Sequence, residues 1–133
     1  MILTELTSED NNQFISISKK DAKMALPIGD LCFDEVSEIE NTHSNIIYVD
    51  ESKIKFPLAV RKWQEGDYFF PLGMKGKKKL SKYFKDEKLS LIDKENTWLL
   101  CSEEAILWVI GKRADDRFKV TENTKQILKF EIK

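Results

Sequence analysis

The sequence contains little of the chemistry that metal centres and nucleophilic active sites use. Among its 133 residues are two cysteines and one histidine, too few for a zinc site, which takes a full set of such ligands. His43 lies in the polar segment 40–44 and lacks the neighbours of a serine-type triad. Cys32 and Cys101 lie beside apolar residues, which predicts buried free thiols and not a disulfide. We therefore predict no catalytic residue and no metal ligand in this chain.

Long apolar runs and a leader-like start are also missing. No apolar run approaches the length of about 18 residues that indicates a membrane span. Residues 1–5 lack the basic-then-apolar order of a signal peptide. A hydrophobic content of 41% is enough to fill a core, and 34% of the residues are charged. The composition predicts a single globular domain over residues 1–133 that works in the cytoplasm without a membrane partner.

The formal net charge is only −1, but the charge is distributed unevenly along the chain. Residues 1–52 carry three lysines and eleven acidic residues, a net charge of −8. Residues 53–133 carry nineteen basic and twelve acidic residues, a net charge of +7. Seven lysines of the second part fall within fourteen positions: Lys75, Lys77, Lys78, Lys79, Lys82, Lys85 and Lys88. Lysines this close together repel one another, so a chain that keeps them usually has an anionic partner, most commonly a phosphate backbone.

Short segments in which apolar and polar residues alternate, or in which apolar residues run together, predict strands. A helix over 78–88 is predicted by the spacing of Leu80, Tyr83 and Phe84, and Ser90 to Asp93 resemble a capping box for a second short helix. The pattern predicts a strand-dominated α+β fold with an antiparallel sheet. The predicted strands cover 2–6, 14–18, 31–36, 46–49, 56–60, 98–101, 105–110 and 127–132, with hairpins joining 2–6 to 14–18 and 98–101 to 105–110.

Two glycine-containing phosphate loops are only partly matched by residues 73–78. A Walker loop has a longer spacing between its glycines and a hydroxyl residue after its lysine. Here only two residues separate Gly73 from Gly76, and Lys78 follows Lys77, so a Walker loop is excluded. The glycine spacing matches the loop of KH domains, but Pro71 and an extended aromatic segment precede it. The physical basis of such loops still applies to residues 73–78, since glycines let backbone N–H groups approach a phosphate.

Two ordered blocks of the sequence resemble one known family, the C-terminal domain of bacterial tRNA(Ile)-lysidine synthetase. The resemblance is strong over residues 56–132 and loose over 1–55. The first block reads Arg61-x-Trp63-x-x-Gly66-Asp67-x-x-x-Pro71-Leu72-Gly73-Met74-x-Gly76-x-Lys78-Lys79-Leu80-Ser81-x-x-Phe84. The second reads Ile106-Leu107-Trp108-Val109-Ile110-Gly111-x-Arg113-x-Asp115-x-Arg117-Phe118-Lys119-Val120-Thr121.

The resemblance implies a fold and a parent activity. The fold is expected to be a β-sandwich with one or two short helices, similar to a β-rich domain of the phenylalanyl-tRNA synthetase β subunit. The family ligates lysine to the wobble cytidine of isoleucine tRNA, using ATP with magnesium. That chemistry belongs to an N-terminal domain with a Ser-Gly-Gly-x-Asp-Ser loop, a motif that this sequence does not contain. The expected partners are therefore isoleucine tRNA and that catalytic domain, and no cofactor is expected in this chain.

We predict a noncatalytic domain that grips the tRNA body near the acceptor stem. Two alternatives remain open: a module that docks its basic face on an acidic protein domain, and a hydrolase or editing domain that uses Asp and Lys side chains. Trp63, Leu80, Phe84 and Trp108 are expected in the core. The candidate RNA-binding residues are Arg61, Lys75, Lys77, Lys78, Lys79, Lys82, Lys85, Arg113 and Arg117, and the candidate loop-shaping residues are Gly66, Asp67, Pro71, Gly73 and Gly76.

Overall fold

A computed structural model describes residues 14–19, 23–40 and 43–133. The predicted strand 2–6, and with it the predicted hairpin to 14–18, lies outside these residues. No helix of the described part is long and apolar enough to cross a membrane. The strands are β1 (Phe14–Ile17), β2 (Lys23–Leu26), β3 (Gly29–Val36), β4 (Ile46–Asp50), β5 (Leu58–Lys62), β6 (Tyr68–Phe69), β7 (Lys78–Lys79), β8 (Trp98–Ser102), β9 (Ala105–Val109), β10 (Arg113–Ala114) and β11 (Ile127–Ile132). The helices are α1 (Leu80–Asp86) and α2 (Leu91–Glu95), and Glu51–Lys53 and Asp116–Phe118 form 3-10 turns.

The strands form two larger antiparallel sheets and one small hairpin. The central sheet has the order β1-β5-β8-β9-β10, and the outer sheet has the order β2-β3-β11-β4. β6 and β7 pair only with each other, and β7 runs directly into α1. The predicted strand-dominated α+β fold, with antiparallel sheets and two short helices, is confirmed.

The central sheet is buried on both of its faces. Along β8, Trp98 and Leu100 join a core that includes residues of both large sheets, whereas Leu99 and Cys101 join a second core. All five residues of β8 are buried, which explains why its first four residues, 98–101, are apolar without alternation. The second core adds Ile106 and Val109 of β9 to Phe69, Leu80, Tyr83 and Phe84, which lie in β6 and α1. The domain therefore has three layers: the outer sheet, the central sheet, and a layer made of β6, β7 and α1.

A β-bulge in β9 places two successive side chains in the same core. Leu100 pairs with Trp108, but the next pair joins Cys101 to Ile106, so Leu107 is an extra residue. Leu107 and Trp108 both belong to the core between the sheets. A bulge has this effect because its two residues oppose a single residue of the partner strand.

Local predictions near the basic segment were confirmed in part. Ser90 caps α2 as predicted, since its Oγ accepts a hydrogen bond from the Asp93 N–H at 3.0 Å. The hairpin of β8 and β9 is also confirmed. The helix predicted over 78–88 is shorter and begins at Leu80, because Lys78 and Lys79 are extended and pair with β6. The strands predicted from the sequence include neither β2 nor β10. Both cysteines are free thiols; Cys101 is buried, and Cys32 is only half-buried.

Candidate nucleic-acid interface

The basic segment forms a projecting hairpin and the helix that follows it. Tyr68 pairs with Lys79 and Phe69 pairs with Lys78, so residues 70–77 form the hairpin loop. Phe69 is fully buried and Tyr68 is exposed, as the alternation of an extended strand predicts. Residues 72–77 are all exposed. We call residues 68–86 the hairpin–helix layer.

Asp115, from the second sequence block, anchors the beginning of this loop. Its side chain is fully buried, and its Oδ2 accepts a hydrogen bond from the Phe70 N–H at 2.9 Å. Arg117 donates two hydrogen bonds to the same carboxylate, at 3.0 and 2.9 Å, and its guanidinium lies 4.2 Å from the centre of the Phe70 ring. The Asp116 N–H donates to the Phe70 carbonyl at 2.6 Å. The carboxylate of Asp115 therefore joins its sequence neighbour Arg117 to the distant Phe70.

Asp116 and Arg113 hold the tip of the loop. Asp116 Oδ1 accepts a hydrogen bond from the Gly73 N–H at 3.2 Å, and Arg113 Nη2 donates to the Leu72 carbonyl at 2.6 Å. Gly73 has φ +85°, a conformation that a glycine adopts without strain. The Gly73 N–H and the ammonium of Lys119, which lies 3.2 Å away, lower the pKa of Asp116. Gly73 thus lies in a turn that Asp116 and Arg113 hold, and its loop-shaping role stays a prediction.

Asp67 is a second anchor, where the hairpin meets the central sheet. Arg61, on β5, donates to both of its carboxylate oxygens, at 2.9 and 3.0 Å. Asp67 Oδ2 also accepts from the Gln64 N–H at 2.6 Å, and the Asp67 carbonyl accepts from the Leu80 N–H at 2.9 Å. The hydrogen bonds that Arg61 donates to Asp67 raise the pKa of the Arg61 guanidinium. Asp67 thus connects β5, the turn before β6 and the first residue of α1.

The lysines of the layer point mainly toward water. In the part of the chain that the structure describes, no acidic partner lies within ion-pair distance of Lys75, Lys77, Lys79 or Lys85. Lys82 lies 3.5 Å from Asp86 but remains 67% exposed. Lys82 and Lys85 are three positions apart in α1 and therefore lie on one side of it, and Lys79 immediately precedes the helix in β7. We call the five exposed residues the lysine face: Lys75, Lys77, Lys79, Lys82 and Lys85.

Lys78 differs from its neighbours. Its Nζ lies 2.5 Å from a carboxylate oxygen of Asp86, and its side chain is only 22% exposed. The hydrogen bond from Lys78 lowers the pKa of Asp86. Lys78 thus joins the hairpin to the end of α1. Of the nine basic residues predicted to bind RNA, the five of the lysine face are exposed to water. The structure engages the other four, Arg61, Lys78, Arg113 and Arg117, in contacts within the chain.

The residues expected in the core lie there, with one partial exception. Leu80, Phe84 and Trp108 are fully buried, and Trp63 is half-buried with its ring edge-on to Phe84 at 5.0 Å.

Burial raises the pKa of the Cys101 thiol to about 11. Within residues 14–19, 23–40 and 43–133, no group of three His, Cys, Asp or Glu side chains could hold a metal ion.

Comparison with known proteins relates this arrangement to one family. The family described as "TilS substrate C-terminal domain" matches residues 58–131. The tRNA(Ile)-lysidine synthase of Parabacteroides distasonis is 57% identical over 86 residues, which cover 65% of this chain and 20% of that protein. The enzyme of the same name from Bacteroides thetaiotaomicron is 47% identical over 83 residues, covering 62% of this chain and 20% of the relative. The chain thus spans about a fifth of the length of these relatives.

A solved structure shares the fold. The structure described as "Crystal structure of TILS C-terminal domain" superposes with a TM-score of 0.72, covers 90% of this chain and 98% of its own, and is 23% identical in sequence. This chain therefore shares the fold of that C-terminal domain. Because the family match covers more than half of the sequence, the chain belongs to the TilS C-terminal domain family of tRNA(Ile)-lysidine synthases.

Proposed function

We propose that this chain is the tRNA-binding domain of a tRNA(Ile)-lysidine synthase, and that its lysine face grips the tRNA body near the acceptor stem. The observation that carries the proposal is the set of five exposed lysines on one rigid layer. A stem offers closely spaced phosphates, and lysines neutralise them as flexible point charges without reading sequence. The domain would thus recognise the shape and charge of a duplex.

The rigid support of the layer favours this function. Phe69, Leu80, Tyr83 and Phe84 pack the layer onto the central sheet, and the anchors at Asp67 and Asp115 fix both ends of the hairpin. The backbone that carries the charges is thus already ordered before binding, although the lysine side chains themselves remain flexible. Affinity therefore benefits from preorganisation.

We further propose that the domain takes no part in the chemistry. The carboxylates and guanidiniums that could act in catalysis are used in structural pairs: Asp115 with Arg117, and Asp67 with Arg61. In the proposed whole enzyme, which would work in the cytoplasm, a separate catalytic domain binds ATP with magnesium and ligates lysine to the wobble cytidine of isoleucine tRNA. This domain would hold the far end of the same tRNA.

A salt titration of tRNA binding tests the proposal. The triple variant Lys75→Gln, Lys79→Gln, Lys85→Gln removes three exposed charges from the lysine face. We expect weaker binding and a slope of log affinity against log salt that falls by about 0.7 to 0.9 for each lost phosphate contact. Fluorescence anisotropy with labelled isoleucine tRNA measures both quantities, and circular dichroism verifies that the variant is folded.

A matched control removes the same charge elsewhere. Lys55, Lys125 and Lys133 are exposed and lie outside the hairpin–helix layer. Their triple replacement by Gln should leave the slope almost unchanged. Equal losses in the two triple variants, or unchanged binding by the folded lysine-face variant, would contradict the proposal. Binding of an acidic protein domain in place of tRNA would favour the interaction module.

A further inference from the structure

One exposed aromatic side chain lies among the lysines of the hairpin–helix layer. Tyr68 is 44% exposed, whereas the neighbouring Phe69 is fully buried. Tyr68 pairs with Lys79 across the hairpin of β6 and β7, and directly paired residues of a sheet point to the same face. The ammonium of Lys77 lies 4.7 Å from the centre of the Tyr68 ring. Tyr68, Lys77 and Lys79 therefore share one exposed face of the hairpin.

Tyr68 also lines a cleft of about 210 Å³. The lining residues of this cleft include Arg117 and Glu104, which lies in the turn between β8 and β9. The Arg117 guanidinium packs on the Phe70 ring, and that ring meets the Tyr68 ring edge-on, with 6.1 Å between the two ring centres. Because a cavity of about 150 Å³ is enough to hold a benzene ring, the cleft has room for one flat ring beside Tyr68.

The chemistry of these groups suits a ligand that is both flat and anionic. An aromatic ring binds another ring by stacking, and the ammonium groups of lysines bind phosphate. Among the described residues, neither Lys77 nor Lys79 has an acidic partner within ion-pair distance. The contact between Lys77 and the Tyr68 ring is of a weak kind at an exposed site, so a base can replace the ammonium when Lys77 moves to a phosphate.

A nucleotide combines a planar base with a phosphate. Within an RNA stem the neighbouring base pairs cover the faces of each base, and unpaired bases are the ones that proteins stack on aromatic side chains. An unpaired nucleotide therefore fits the ring and the two lysines together, whereas a paired nucleotide offers the lysines its phosphate alone.

We infer that Tyr68 stacks on the base of an unpaired nucleotide of the bound RNA, while Lys77 and Lys79 hold its phosphates. The inference rests on the proposed RNA-binding function and adds a second kind of contact to it. The lysine face recognises the charge and shape of a stem, and Tyr68 recognises a single-stranded segment that adjoins the stem. Since every base has a ring face, the site distinguishes unpaired from paired RNA without reading the sequence.

Two forms of one RNA test the inference with the unmodified protein. The first form is a stem with a short unpaired extension, and in the second form a complementary strand pairs with that extension. We expect the first form to bind more tightly, by about fivefold or more, since stacking of a single base contributes at least that much. The second form has more phosphates, so charge alone would favour it. Fluorescence anisotropy measures both affinities.

Two substitutions of Tyr68 separate the ring from its size and its hydroxyl group. Tyr68→Leu removes the ring and should abolish the preference, with the affinity for the fully paired form unchanged. Tyr68→Phe keeps the ring and should keep the preference. Ile92→Ala is the control outside the layer, because Ile92 is 68% exposed on α2. A 2-aminopurine base in the unpaired extension should change its fluorescence on binding to the unmodified protein and to Tyr68→Phe, but not to Tyr68→Leu.

The outcomes distinguish this inference from the proposed function. Equal affinity of the unmodified protein for the two forms would overturn the inference alone. A loss in Tyr68→Leu that is equal for both forms would also overturn it, since the ring would then act in general binding. Binding of free adenosine monophosphate as tightly as the RNA would indicate a site for a small nucleotide and would overturn it too. Failure to bind either form would overturn both proposals.

Discussion

The two sides of the hairpin–helix layer use positive charge in different ways. On the side that faces the sandwich, Arg61 and Arg117 donate paired hydrogen bonds to carboxylates that are mostly or fully buried. On the side that faces water, the lysine face has few such partners. The planar guanidinium of arginine suits a fixed, two-bond contact, whereas the ammonium of lysine is a strongly hydrated charge on a flexible stem. The arginines hold the hairpin–helix layer in place, and the lysines are the charges that it exposes to water.

The largest expected effect comes from removing the anchor on the inner side. Asp115→Ala leaves the Phe70 N–H without its acceptor and Arg117 without its partner. We expect the free energy of unfolding to fall by about 3 kcal/mol, as when one member of a buried pair is removed. Urea unfolding measures this loss. Glu104→Ala, in the exposed turn between β8 and β9, should change the stability little, and a similar loss in both variants would contradict the anchoring role.

A smaller effect distinguishes the two kinds of cation. Arg61→Lys keeps the charge but cannot reproduce both hydrogen bonds to Asp67, so we expect a loss of about 1–2 kcal/mol of stability. The reverse exchange on the outer side, Lys79→Arg, should leave the stability within about 0.5 kcal/mol of the original. Guanidinium unfolding of both variants makes the comparison. Equal stability of the two variants would remove the distinction between the sides.

The smallest effect is a dependence on pH at the loop tip. The pKa of Asp116 in the folded protein lies below its ordinary value of 3.8, chiefly because of the Gly73 N–H and then Lys119. A lowered folded pKa means stability that is present above the unfolded pKa and is lost as pH falls through the folded pKa. Asp116→Asn should therefore be less stable than the original protein near neutral pH, and the difference should shrink as pH falls below 3.8. Urea midpoints over this range measure it, and a constant difference would exclude the role of the charge.

Many of the strands and helices of this domain could be predicted from the sequence because they depend on local patterns. Alternation and apolar runs predicted β11 and the hairpin of β8 and β9, and Ser90 indicated the start of α2. The inner and outer roles of the cations could not be predicted in this way. Nothing near Arg61 in the sequence shows that Asp67 folds back onto it, and Asp115 lies 45 residues after its partner Phe70. The bulge at Leu107 depends on strand register, which the composition of β9 does not reveal.

The distance along the chain between the loop and its anchors affects the order in which the surface can form during translation. Residues 70–77 leave the ribosome well before residues 113–117, which hold them. Domains generally fold as units during synthesis, so a segment does not reach its final structure before the segments that hold it have emerged. Until β10 and the turn after it have been synthesised, the loop lacks its anchors. The surface proposed to bind RNA is therefore completed only once residues 113–117 have emerged, and a chain that stops before them would carry the lysines on a loop without its anchors.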